Sequence, residues 1–111
     1  MEIFFARKTL WKTCNVSKLL RKRHGERRAR LISQRLGELS AADTLEVMRA
    51  LPQAQCHELT GNRKGQLTVA LDGGWRLVFR PREPVHYKPD GGLDWKRTTA
   101  IEIVQVVDYH G

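Results

Sequence analysis

Acidic residues are scarce in the first third of this sequence. Between Arg7 and Arg35 there are eleven cations, and Glu26 is the only carboxylate. So one-sided a segment excludes an acidic binding face there and favours a polyanionic partner, either nucleic acid or an acidic protein. Cysteine is nearly absent as well: Cys14 and Cys56 are the only two. They lack metal-ligand spacing, so reduced structural thiols are expected and a disulfide framework is not. No apolar run approaches the roughly 20 residues needed to span a bilayer. Residues 1–6 are too few for a signal-peptide core and lead straight into Arg7 and Lys8. A cytoplasmic protein without membrane association is expected. There is no phosphate-binding glycine loop and no Gly-x-Ser-x-Gly elbow, and the four histidines show no zinc pattern. No metal and no cofactor are expected.

What is present describes a small folded domain. The chain has 111 residues, 41% of them hydrophobic, and a net charge of +8. That length suits one domain over residues 1–111 with a single core. Ile3, Phe4 and Phe5 read as a short first strand. Residues 17–24 form a strongly basic helix with Gly25 as a left-handed stop. A second helix carries Ala29, Ile32, Leu36 and Leu39 on one apolar stripe, with Arg27, Arg28, Arg30 and Arg35 turned toward solvent or a partner. Asp43 and Glu46 have capping-box spacing, and Leu45, Met48 and Leu51 follow on a short helix closed by Pro52.

Beyond Pro52 the periodicity changes to two. Leu67, Val69 and Leu71 alternate with more polar or smaller residues, as do Trp75, Leu77 and Phe79. The intervening Asp72, Gly73 and Gly74 predict a hairpin turn. Residues 81–99 form a long connection with three prolines and an Asp90-Gly91-Gly92 turn, for which Trp95 is the expected anchor. The β-branched run 101–107 predicts a central strand covered on both faces. Helices gathered first and strands later indicate an α+β fold, with helices packed on one face of a mainly antiparallel sheet.

Several residues in this framework suit chemistry on a phosphodiester. His110 carries an imidazole that exchanges a proton near neutral pH, and positioned proton transfer contributes about 10² to 10⁴ in rate. Tyr109, next to it, points to the opposite face if the strand stays regular. Arg76 and Arg80 project from one strand face about 13 Å apart, at about 3.3 Å per residue. One guanidinium suits a scissile phosphate and the other a flanking one. His57, Arg63 and Lys64 surround the Gly61-Asn62 turn signal, where basic residues reach phosphate closely. His24 and His86 are expected at the surface.

Six segments carry a resemblance that spans nearly the whole chain in order. They are residues 12–15 (Lys-Thr-Cys-Asn), 48–52 (Met-Arg-Ala-Leu-Pro), 57–66 (His-Glu-Leu-Thr-Gly-Asn-Arg-Lys-Gly-Gln), 75–81 (Trp-Arg-Leu-Val-Phe-Arg-Pro), 90–95 (Asp-Gly-Gly-Leu-Asp-Trp) and 108–110 (Asp-Tyr-His). Together they resemble the HigB-type killer proteins of bacterial type II toxin–antitoxin systems, within the RelE/ParE superfamily. The resemblance implies a ribosome-dependent endoribonuclease that cuts messenger RNA by metal-independent attack of the substrate's own 2′-hydroxyl. It implies two macromolecular partners: the ribosome with its mRNA, and a HigA-like helix-turn-helix antitoxin.

In the roles it implies, Arg76 stabilises the phosphorane, His110 and His57 share general base and acid, and Tyr109 stacks on a base or donates a proton. Arg63, Lys64 and Arg80 grip the RNA backbone, and the basic helices face ribosomal RNA. The 81–99 connection is absent from the shortest relatives, which leaves substrate access and antitoxin contact both open as its purpose. Two other functions stay compatible with the sequence: a ParE-like inhibitor of DNA gyrase without nuclease activity, and a non-toxic basic RNA-binding module.

Overall fold

The computed structural model describes residues 1–108; Tyr109, His110 and Gly111 lie outside the described residues. The chain opens with β1 (Glu2–Phe5), followed by α1 (Lys8–Asn15) and α2 (Ser17–Ala41). Short 3₁₀ turns at Leu45–Ala50 and Pro52–Ala54 lead to β2 (His57–Glu58). The hairpin strands β3 (Leu67–Ala70) and β4 (Trp75–Pro81) follow, and β5 (Ala100–Asp108) comes last. The five strands form one sheet in the order β1-β5-β4-β3-β2. Among the described residues, only the β1–β5 pair is parallel. The architecture is therefore α+β with a mainly antiparallel sheet, as the order of elements predicts.

The core lies between α2 and one sheet face. Ala29, Ile32 and Leu39 from the helix meet Leu67, Val69, Leu77, Phe79, Ile101 and Ile103 from the strands, all buried. Leu36 is only half-buried. Arg35, expected toward solvent, is buried instead: it donates to the Ala70 carbonyl (2.7 Å), the Gln53 carbonyl (2.9 Å) and Glu38 (3.0 Å). Three acceptors satisfy its donors, which is what burial of a guanidinium requires.

Other local expectations are refined. Gly25 does interrupt the basic helix, at φ 78° and ψ 166°, a conformation open to glycine alone, but the helix resumes at once and runs to Ala41. The helix α1 had no clear signature in the sequence. Asp43 caps nothing; Thr44 takes the N-cap position of a 3₁₀ turn, without a side-chain hydrogen bond. The hairpin forms as expected, closed by the Trp75 N–H donating to the Asp72 carbonyl at 3.0 Å.

The expectation for the last strand is corrected. β5 is central, between β1 and β4, but only Ile101 and Ile103 are buried along it. Its pairing with β4 shifts between Val78 and Phe79: Phe79 faces Ile103, while Val78 faces Gln105. Val104 is therefore an extra residue, a bulge. The bulge moves the inward phase from Ile101 and Ile103 to Val106, so an alternating strand reads in sequence as one apolar run.

Candidate functional site

The site grows from β4. Strand alternation puts Arg76, Val78 and Arg80 on the face opposite the helices. Register extends that face into rows: His57, Thr68, Val78 and Gln105 lie in one, and Arg80 stands opposite Glu102 in the next but one. Arg76 stands opposite Val107 and Ala70. His57 thus occupies the row between the two arginines, two strands away from them. Strand spacings of about 4.8 Å and rises of about 3.3 Å separate it from Arg76 by roughly 12 Å at the Cα atoms.

Each predicted residue has a defined environment. Arg76 is half-buried and donates from Nη1 to the carbonyls of Gly73 (3.1 Å) and Trp75 (2.9 Å). Those contacts anchor one end of the guanidinium at the hairpin turn. Arg80 pairs with Glu102 on β5. Arg63 donates to Gln66 and to Gln105, both at 2.9 Å, and so bridges the sheet across β4. This bridge goes with the burial of Thr68 and Val78. The Thr68 hydroxyl beneath it is buried with no hydrogen-bond partner among the described residues. His57 is exposed, with Nδ1 2.9 Å from the Gln55 carbonyl. A carbonyl only accepts, so Nδ1 carries the proton in the neutral ring and Nε2 holds the free lone pair. Lys64 is exposed on the loop beside them.

Arg80 and Lys64 also line a cleft of about 960 Å3 whose far wall is made by residues 83–93 of the long connection. That connection is pinned as expected: Trp95 is buried and donates from Nε1 to Glu58 at 3.0 Å. Arg76, Arg80, Arg63, Lys64 and His57 therefore belong to one side of the molecule. Tyr109 and His110 lie outside the described residues, the last of which, Asp108, stands opposite Trp75. Among the described residues there is no cluster of His, Cys, Asp and Glu able to hold a metal ion. Burial pushes the Cys14 thiol up to about 11 and the Cys56 thiol up to about 12, and neither forms a disulfide.

Sequence reasoning missed a second basic feature, on the helix side. Arg28 makes a two-pronged ion pair with Asp72 (2.9 and 3.1 Å), and its Cζ lies 3.9 Å over the Trp75 ring. The Arg28 hydrogen bonds hold the Asp72 carboxyl below its usual range. His24, expected at the surface, packs edge-on against Trp75 at 6.3 Å. Its burial, then Arg23 and Arg28, lower its proton affinity. Arg7, Arg23, His24, Arg28 and Trp75 line a groove of about 610 Å3. Arg28 and Asp72 are 44 positions apart, so no local signal in the sequence announces the pair.

An α+β sheet with arginines along the face turned away from α2 is the class defined so far. No family model matches the chain, and no curated protein matches it in sequence. In three dimensions it is similar to a YoeB/ParE toxin from Agrobacterium tumefaciens. That similarity has a TM-score of 0.53 at 13% sequence identity and covers 99% of this chain and 100% of the toxin. The two share a fold, the RelE/ParE-like toxin fold that the sequence resemblance implies. Among the described residues, no helix is long and apolar enough to cross a membrane.

Proposed function

We propose that this chain is the toxin of a type II toxin–antitoxin module, a HigB-type endoribonuclease that cuts messenger RNA on the ribosome. The observation that carries the proposal is the alignment of Arg76 and Arg80 on one face of β4, with His57 in the row between them. That pattern sits on a fold shared with a toxin, and these are residues to which the sequence resemblance gives roles in cleavage.

The chemistry is metal-independent. A general base removes the proton from the substrate's 2′-hydroxyl. The 2′-oxygen then bonds to the adjacent phosphorus, and the bond from phosphorus to the 5′-oxygen breaks. A general acid returns a proton to that leaving oxygen. The products are a 2′,3′-cyclic phosphate and a 5′-hydroxyl. Arg76 offers its guanidinium to the oxygens of the phosphorane, where charge develops. His110 and His57 divide the base and acid roles, and in His57 the basic atom is Nε2. Tyr109 stacks on a base or donates a proton. Lys64, Arg63 and Arg80 hold the backbone; Arg63 and Arg80 do so while already oriented by Gln105 and Glu102, which lowers the cost of ordering them. The partners are the ribosome with its mRNA and a HigA-like helix-turn-helix antitoxin, in the cytoplasm, with residues 1–111 as one toxin domain.

Expression of the chain in bacterial cells, followed by mapping of transcript 5′ ends, tests this. The expected result is growth arrest with in-frame cuts inside translated messages, each bearing a 5′-hydroxyl. Intact messages accompanied by DNA damage would instead identify a gyrase inhibitor. Intact messages with normal growth would leave a non-toxic RNA-binding module.

A further inference from the structure

The cleft beside Arg80 has one wall that the proposed chemistry does not use. Residues 83–93 form it, and at its rim Tyr87 is 60% exposed. An aromatic ring left in water contributes little to folding, and among the described residues this ring makes no ring-stacking or cation contact. Its backbone, by contrast, is held firmly. Tyr87 forms an antiparallel bridge with Leu93. The Lys88 N–H donates to the Gly92 carbonyl at 2.7 Å, the Asp94 N–H donates to the His86 carbonyl at 2.9 Å, and Asp90 accepts from the Gly92 N–H at 2.8 Å. Gly91, at φ 90°, closes the turn. A rigid turn thus presents a bare aromatic face.

The cleft's charges explain what that face meets. Four carboxylates line it: Glu102 pairs with Arg80, Glu58 accepts from the Trp95 indole, Asp90 accepts from the turn and pairs with Lys88, and Glu83 is the fourth. Lys64 and Arg82 line the same cleft as Tyr87, and the Arg82 guanidinium stacks over Phe4 at 3.7 Å. A fixed, exposed aromatic face in a cleft that also holds Lys64, Arg80 and Arg82 can take a single-stranded base by stacking and its phosphate by charge. Arg80 opens this cleft about 13 Å along β4 from Arg76, so the base concerned flanks the scissile linkage and is not part of it.

We infer that the 83–93 turn is a base-binding subsite, in which Tyr87 stacks on a nucleobase flanking the cut and biases where the RNA is cleaved. The inference rests on the endoribonuclease proposal above. It is tested with the full chain and a single-stranded 2′-O-methyl RNA oligonucleotide, whose nucleophile is blocked, so that binding is read without cleavage. Tyr87→Phe should bind like wild type. Tyr87→Ala should bind about 5- to 150-fold more weakly, the range of one stacked base, with an unchanged melting temperature. Tyr87→Leu should also lose affinity, because it keeps apolar area without a π face. An abasic site walked along the oligonucleotide should weaken wild-type binding at one position, and that penalty should vanish in Tyr87→Ala. Equal affinity of wild type and Tyr87→Ala would overturn the subsite alone. Failure of wild type to bind RNA, together with intact transcripts in cells, would overturn the nuclease proposal and the subsite with it.

Discussion

Replacing Arg76 by alanine separates a chemical role from a structural one, because the structure bounds what its loss costs the fold. The side chain is half-buried and its two hydrogen bonds reach only local carbonyls, those of Gly73 and Trp75. Two such bonds are worth about 1–3 kcal/mol together. For 111 residues at about 2.1 cal/mol/K each, the unfolding entropy is about 0.23 kcal/mol/K, so the melting temperature should fall by about 4–13 °C. The effect on catalysis should be far larger. Removing a donor aimed at developing charge typically costs about 10² to 10³ in rate. Single-turnover cleavage of ribosome-bound message, measured beside thermal unfolding, gives both numbers. Arg76→Lys should fall between wild type and alanine, since it keeps the charge but loses the paired donors. A variant that keeps near wild-type cleavage would refute the phosphorane role. So would a melting temperature lowered by twice the expected amount with activity lost in proportion, which would make Arg76 a structural residue.

Two further outcomes are expected from groups that act on stability. Arg35→Ala leaves Glu38 and two carbonyls without their buried donor, so it should cost about 3–5 kcal/mol; a lower urea midpoint at unchanged slope reports it, and a loss below about 1 kcal/mol would contradict the burial. His24 is held against Trp75 with its proton affinity lowered from the ordinary 6.5, first by burial and then by Arg23 and Arg28. The unfolded chain therefore binds more protons at this site than the folded one, so the stability it contributes is complete above pH 6.5 and is lost as pH falls toward the lowered value. Wild type should lose stability between pH 7.5 and pH 5 faster than His24→Gln does. Parallel pH profiles for the two proteins would show that His24 does not sense its cage.

Part of the candidate site was readable because it obeys a short-range rule. Residues four apart on a strand share a side, so Arg76 and Arg80 were paired by period alone, and the regular alternation of β4 keeps them together. Other parts follow rules that no window of sequence contains. Arg63 looked like a free turn cation, yet Gln105, distant in the chain, captures it. Arg35 looked like a solvent-facing arginine beside an apolar stripe, yet three acceptors brought by β3, α2 and a 3₁₀ turn make its burial possible. The bulge at Val104 hid the alternation of β5, because one extra residue shifts the phase of every side chain after it.

By itself the sequence determined the α+β order, the hairpin, the anchoring of the long connection by Trp95 and the concentration of positive charge. Each follows from local periodicity, turn chemistry or composition, which act over a few residues. Tertiary structure alone decided which cations remain available and which are spent on holding the fold. It also decided that the 83–93 turn walls the cleft beside Arg80. Both depend on partners supplied by remote strands and helices, and a charged side chain's role is set by the groups that surround it in space.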